Sequence, residues 1–367
     1  MKYSGKFVTL YEIFPYFTRG SRIKNRFSII RSILFSKNCT IEFKNGINYS
    51  MELIDYKAIL HLLSVEKYAE IFKVDGSRVK ISFDGINNFF ISLGKLSKED
   101  RLLLALFDHG IRDGAFFIDE KYTTSIKNEK ILRIVQSKQS IIETSEGIKF
   151  FLDAILPDVI VESFIRRVHD QYSKSLMDKV VIDVGAAVGD TPLYFAAKGA
   201  TVYAIEMTES NYEKMIRNLK LNSDLSKKII PIRAAIGKDE IIEYYEDGVD
   251  IQIGGASLFN KFGSRAKKTQ VEGMTVKTLF DKFNISSVDL LKMDCKGCEA
   301  FLNKEDLEIV KRVKIDYIIN TKSHKIESVL NLLEELGYEF IIYKHNSFDV
   351  NPFKNSGNVL AEKISNN

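Results

Sequence analysis

The sequence predicts a doubly wound α/β sheet, parallel through five strands and closed by a C-terminal antiparallel hairpin, with an α+β domain ahead of it. Three observations support this. Val180–Val184 is a run of apolar β-branched residues, suited to a strand buried on both faces, and leads through Gly185 and Gly189 into a helical segment at Thr191. Strand-like runs near Val180, Thr201, Ile229, Asp289 and Val313 alternate with helical runs near Thr191, Asn211, Val276, Lys304 and Lys325, which specifies parallel strands with helices on both faces. The last two strand-like segments, 338–344 and 358–364, have no long helix between them and should pair antiparallel.

The expected domains are 1–138, a small α+β domain without an assigned role, and 139–367, which holds the sheet. Within the first, 40–49 alternates around Asn45-Gly46 and 78–93 around Asp84-Gly85, both hairpin signals. Residues 55–72 carry Ile59, Leu62, Leu63, Tyr68 and Ile71 at helical spacing, and Ser97 with Asp100 has the spacing of a capping box opening a helix through Leu106. Segment 19–37 reads as a basic amphipathic helix: Arg19, Arg22, Lys24, Arg26, Arg31 and Lys37 occur without an acid, and Ile23, Phe27, Ile30 and Leu34 form a stripe. Such a helix suits peripheral contact with an anionic membrane or an acidic partner, or packs its stripe on its own domain. The second domain opens with a hairpin, 141–144 and 148–152 about Glu146-Gly147, and a helix over 158–169.

Composition sets the frame. At 367 residues with 45% hydrophobic content the chain can bury a sizeable core in two domains. A formal charge of +4 is far from the footprint of a nucleic-acid binder, so nucleic acid is not an expected partner. Cys39, Cys295 and Cys298 make no disulfide framework, no secretory signal or membrane span is visible, and a cytoplasmic protein is expected.

The turn after Val184 is a nucleotide-type cofactor site. Gly185 and Gly189 let the backbone approach a ligand, and Glu206, ending the strand that begins at Thr201, is placed to accept hydrogen bonds from a ribose. Asp183 separates two cofactor classes. An acid before the first glycine is a poor neighbour for a pyrophosphate. It suits S-adenosylmethionine, whose ammonium and sulfonium are cationic and whose carboxylate the loop amides would receive. The antiparallel end of the sheet points the same way, because class I methyltransferases close their Rossmann-like sheet so, whereas a dinucleotide domain adds a sixth parallel strand. At the fourth strand, Asp294 should face the sulfonium as general base or acceptor-orienting group, with Glu299 next. Cys295 and Cys298 form a C-x-x-C, read as small residues flanking Gly297 in a tight turn; without a second pair no metal site is expected. Of five histidines only His324, after the fifth strand, falls near the crevice edge, and Gly254-Gly255-Ala256-Ser257-Leu258 sits where an acceptor-side lid belongs.

Residues 140–345 resemble the FkbM family of S-adenosylmethionine-dependent methyltransferases. Four pieces carry the resemblance: Gly147-Ile148-Lys149-Phe150-Phe151-Leu152, similar to the family's opening hairpin; Val181-Ile182-Asp183-Val184-Gly185-Ala186 with Gly189, similar to its cofactor motif; Asn211-Tyr212-Glu213 through Asn222 with Ala234-Ala235-Ile236-Gly237; and Asp289-Leu290-Leu291-Lys292-Met293-Asp294-Cys295-Lys296-Gly297-Cys298-Glu299, similar to its D-L-L-K-x-D-x-x-G-x-E signature. The wording of the last piece is closest to archaeal members. The resemblance implies a methyltransferase acting on a hydroxyl of a sugar, glycan or related small molecule. It implies a cofactor-binding set of Asp183, Gly185, Ala186, Ala187, Gly189, Asp190, Thr191, Glu206, Met207 and Ala235, and a catalytic set of Asp294, Glu299 and Lys296. Ala187 stands where the family usually has Asn, removing a polar contact near the methionine end of the cofactor. Lys296 stands where it usually has Glu, setting an ammonium beside the acceptor pocket. A cofactor-binding scaffold with a lapsed active site, or an RNA or protein methyltransferase, are the alternatives.

Overall fold

The computed structural model describes residues 22–35, 38–52, 56–69, 71–82, 89–93, 96–112, 117–118, 121–122, 132–135, 141–144, 146–165, 167–172, 175–246, 256–257, 267–295, 297–318, 326–344 and 356–364. The chain divides into two compact units, Met1–Arg167 and Val168–Asn367, so the hairpin expected to open the second domain groups with the first unit.

In the second unit, labelled in chain order, β1 is Val180–Val184, α1 Asp190–Ala197, β2 Thr201–Ile205, α2 Glu209–Leu221, β3 Ile229–Ile232, α3 Val276–Phe283, β4 Leu290–Met293, β5 Arg312–Ile318, α4 Ile326–Glu335, β6 Tyr338–Lys344 and β7 Ser356–Lys363. The seven strands lie in the order β3-β2-β1-β4-β5-β7-β6. β1 to β5 are parallel, with β7 antiparallel to both β5 and β6. This is the Rossmann-like class I methyltransferase fold, parallel with a C-terminal antiparallel closure, preceded by an α+β region. Chain order reverses between β1 and β4, the place where open sheets bind ligands.

The reason for this order is visible in the side chains. β1 lies between β2 and β4, with Val181 opposite both Val202 and Leu290, so neither edge is free, and residues 181–184 are all buried, so both faces are covered and favour apolar residues. One face of the sheet, including Ile182, Val184, Leu291, Met293 and Val313, packs on Val276, Leu279 and Phe280 of α3 and Val329 and Leu333 of α4. Each such side chain contributes about 1.5–3 kcal/mol of burial. Asp289, one residue before β4, fixes the register at the opposite end of the sheet: its carboxylate accepts from the Val180 N–H at 3.0 Å and pairs with Lys311 at 2.9 Å. Burial opposes that charge, and the Val180 amide and Lys311 more than offset it, holding the carboxyl below its usual range.

The first unit follows the expected hairpins. Asn38–Glu42 pairs antiparallel with Asn48–Glu52 around Gly46, and Arg78–Ser82 with Phe89–Ser92. Ser97 and Asp100 exchange the two bonds of a capping box, each 3.0 Å, at the start of Lys98–Arg112. Ile141–Thr144 pairs with Lys149–Phe151. Three expectations change. The helix expected over 55–72 is Tyr56–Tyr68, and Ile71 and Phe72 open a strand, Ile71–Asp75, which turns through Gly76 at φ 54° to pair with Arg78–Ser82. The helix expected over 158–169 is broken into short turns, with Arg167 left-handed at φ 51°. In the basic helix, Arg26–Phe35, the buried face carries Ile29 and Ile30 while Phe27 is 69% exposed. Arg26 is buried against Glu66 and Leu63, so this charge is neutralised inside the unit and the helix turns that face inward. No described helix is long and apolar enough to cross a membrane.

Candidate active site

β1 and β4 end side by side and bring the cofactor turn against Asp294. The Asp294 N–H donates to the Val184 carbonyl at 2.9 Å. A Cβ on Gly185 would lie 2.5 Å from the Asp294 carbonyl oxygen, and Gly185 has φ 81°, so space and backbone conformation both demand glycine. At Gly189, φ 87°, a Cβ would approach only the flexible Met215 side chain at 3.0 Å, so conformation decides there.

The turn is held from within. Gly185 and Ala186 donate to the Ile205 carbonyl at 2.9 and 3.0 Å, and Gly189 to the Ala186 carbonyl at 2.9 Å. The Ala187 N–H donates to Glu206 Oε2 at 2.9 Å. These bonds engage the amides of Gly185, Ala186, Ala187 and Gly189 in shaping the turn. Ala187 is left-handed at φ 45° without being glycine, a conformation that Asn tolerates best among side-chain-bearing residues.

Glu206, at the end of β2, is 6% exposed. Its Oε1 accepts from the Thr208 N–H at 2.9 Å and the Thr208 hydroxyl at 2.6 Å, so one carboxylate ties the glycine turn to the segment entering α2. Beside it, Met207 packs on Ala235, which lies in the short strand Ala235–Ile236. Asp190 and Thr191 begin α1 and are buried.

Asp183 is the fourth residue of β1. It is fully buried, its Oδ1 is 2.7 Å from Lys292 Nζ, and its Oδ2 accepts from the Thr191 hydroxyl. The pair with Lys292 crosses β1 and β4, where the two residues are register partners. Burial opposes the Lys292 charge, but Asp183, Asp294 and Asp190 outweigh it and hold the ammonium above its ordinary range. Sequence reasoning missed Lys292, although a lone Lys in Leu290-Leu291-Lys292-Met293, a buried apolar strand, has to meet a carboxylate.

On the acceptor side, Asp294 is partly buried, and Glu299 is fully buried. Glu299 Oε2 accepts from the Gly297 N–H at 2.7 Å, and Oε1 is buried with no partner among the described residues. Burial, with the neighbouring charges of Asp294 and Asp316, pushes Glu299 up to about 7. Asp316 on β5 is a second group that sequence reasoning missed; it lies 3.9 Å from Lys314. Cys295 and Cys298 form a disulfide with Cα atoms 5.6 Å apart, correcting the expectation that they serve only as small residues flanking Gly297. Lys296, His324, Gly254, Gly255 and Leu258 lie outside the described residues, while Ala256–Ser257 pairs with Ile241–Glu246.

The site fits a cationic nucleotide-type cofactor: a glycine turn whose first position admits no side chain, a carboxylate at the end of β2, and an acid at the end of β4. Residues 183–340 match the family model described as Methyltransferase FkbM domain, without distinguishing archaeal members. Among solved structures, the chain is similar to an rRNA methylase from Streptococcus thermophilus, at 14% identity over 55% of this chain and 96% of that one, with TM-score 0.35. It is also similar to M. jannaschii TYW2 in complex with AdoMet, at 18% over 64% and 87%, TM-score 0.31. A third is magnesium protoporphyrin IX methyltransferase from Synechocystis PCC 6803 with bound SAH, at 11% over 56% and 83%, TM-score 0.34. No curated protein matches the sequence.

Proposed function

We propose that the protein, whose residues 183–340 match the FkbM methyltransferase model, uses S-adenosylmethionine as cofactor and methylates a hydroxyl of a sugar, glycan or related small molecule. The observation that supports the reading is the close approach of the Asp294 backbone to Gly185, which sets the end of β4, where Asp294 stands, against the cofactor turn at the switch point of the sheet. S-adenosylmethionine, when bound, supplies an electrophilic methyl group on a sulfonium. The protein's task is to align an acceptor oxygen with that carbon and to remove its proton. Asp294 holds the acceptor O–H and accepts the proton at its carboxylate. Glu299, titrating at about 7 and coupled to Asp294 by charge, sets the electrostatics of that step at neutral pH. Glu206 and the turn from Gly185 to Gly189 form the nucleoside side. A cytoplasmic setting and a non-nucleic-acid acceptor belong to the same proposal, the second supported by the mild net charge of +4.

Calorimetry tests the cofactor assignment. Micromolar binding of S-adenosylmethionine or S-adenosylhomocysteine, about 8 kcal/mol, is expected. No heat with either, together with binding of NAD, would sink it. Asp294→Asn should keep that affinity and slow transfer to a glycan or lipid-extract acceptor by about 100-fold. Unchanged turnover would remove Asp294 from the chemistry.

A further inference from the structure

We propose that Cys295 and Cys298 form a redox-active site, a disulfide opened by thiol–disulfide exchange with a dithiol reductant, and that its state sets the conformation of the turn carrying Glu299. The two sulfurs differ in access. Cys295 is partly exposed, whereas Cys298 is 5% exposed and begins a short helical turn, Cys298–Phe301. A reductant thiolate therefore attacks Cys295 Sγ. The S–S bond breaks, Cys298 leaves as a thiolate, and a mixed disulfide forms on Cys295. The reductant's second thiolate then attacks its own sulfur in that mixed disulfide and releases Cys295. Two electrons enter the protein, two protons complete its thiols, and the reductant departs as its own disulfide.

Position gives this chemistry a consequence. The disulfide spans Gly297, whose φ of 141° favours glycine and whose N–H donates to Glu299 Oε2 at 2.7 Å. Cys295 Sγ lies 3.7 Å from the same oxygen. Oxidised, that sulfur carries no proton. Reduced, it becomes an S–H donor to a buried carboxylate whose other oxygen has no partner among the described residues. Reduction thus removes a covalent clamp and gives one carboxylate a donor from Cys295, the residue after Asp294, whose backbone abuts Gly185. The effect on transfer rests on the function proposed above; the exchange itself does not.

The full-length protein, equilibrated in graded mixtures of reduced and oxidised dithiothreitol, is alkylated with a maleimide and weighed intact. Two added labels should appear together on reduction, and Cys295→Ser or Cys298→Ser should abolish the paired step. Hydrogen–deuterium exchange of the peptide spanning 290–303 should be about threefold or more faster in the reduced form. A pair that labels fully even in oxidised dithiothreitol would overturn the proposal, as would a reduced protein whose two thiols are masked by a stoichiometric zinc ion, or exchange indifferent to redox state. Calorimetry with S-adenosylmethionine separates the two readings. Loss of the redox step with cofactor binding intact refutes only the switch, while absent cofactor binding with an intact redox step refutes only the methyltransferase site.

Discussion

Lys292→Met isolates the buried ion pair beneath the cofactor turn. Lys292 and Asp183 are 3% and 0% exposed at the side chain and 2.7 Å apart. Removing the ammonium leaves the buried Asp183 carboxyl with the Thr191 hydroxyl as its remaining partner in this pair of contacts. Breaking a buried pair from one side costs about 3–5 kcal/mol. For a unit the size of Val168–Asn367 that corresponds to a fall of roughly 10 °C in the melting transition. The second variant, Asp183→Asn with Lys292→Met, removes both charges and should recover most of the loss, giving a coupling of about 2 kcal/mol or more in a double-mutant cycle. Because the folded-state pKa of Lys292 is raised, its contribution is fully present below the unfolded value of 10.5 and is lost only as pH rises through the folded value. The cost should therefore be constant from about pH 6 to 9. Scanning calorimetry and urea titration measure it. A single-variant loss under about 1 kcal/mol, or a double variant as damaged as the single, would refute a structural role for the pair.

Glu299 gives the opposite pH signature. Its folded value of about 7 lies above the ordinary 4.5, so the folded state binds the proton more tightly, and stability falls as pH rises from 4.5 through about 7, by about 3 kcal/mol in all. Glu299→Gln should flatten that part of the pH–stability profile, and a profile with the same slope in both proteins would count against the buried acid. Gly185→Ala places a Cβ 2.5 Å from a backbone oxygen at φ 81° and should cost about 2 kcal/mol or more in urea titrations. It should also weaken S-adenosylmethionine binding in calorimetry.

How far the sequence carries depends on what each residue must satisfy locally. The strands of the second unit were legible because burial on both faces leaves an apolar run, as at Val180–Val184, and because helices separate the parallel strands. The capping box at Ser97 and Asp100 was legible because its partners are three residues apart. Arg26 was misplaced because its partner, Glu66, is forty residues away, and no periodicity announces a distant counter-ion. The site repeats the lesson. Gly185 and Gly189 were found because tight turns are local, but the orientation of Asp183 was decided by Lys292, 109 residues later. An acid in a cofactor motif can serve the ligand or the sheet, and only the register of β1 against β4 shows which.

Ala187 offers a test of the same distinction from the opposite side. Its φ of 45° is unfavourable for an L residue, and the bond from its N–H to Glu206 holds it there. If backbone shape explains the Asn usual in the family, Ala187→Asn relieves strain and stabilises the unit by up to about 1 kcal/mol, leaving S-adenosylmethionine affinity within about twofold. If a side-chain contact to the cofactor explains it, the same variant leaves the melting temperature alone and tightens binding by about 1.4 kcal/mol, a factor of ten. Calorimetry and thermal melts on one variant discriminate the two. The internal bonding of Gly185, Ala186, Ala187 and Gly189 favours the first outcome, since a turn whose amides are already engaged is held in shape before any ligand arrives.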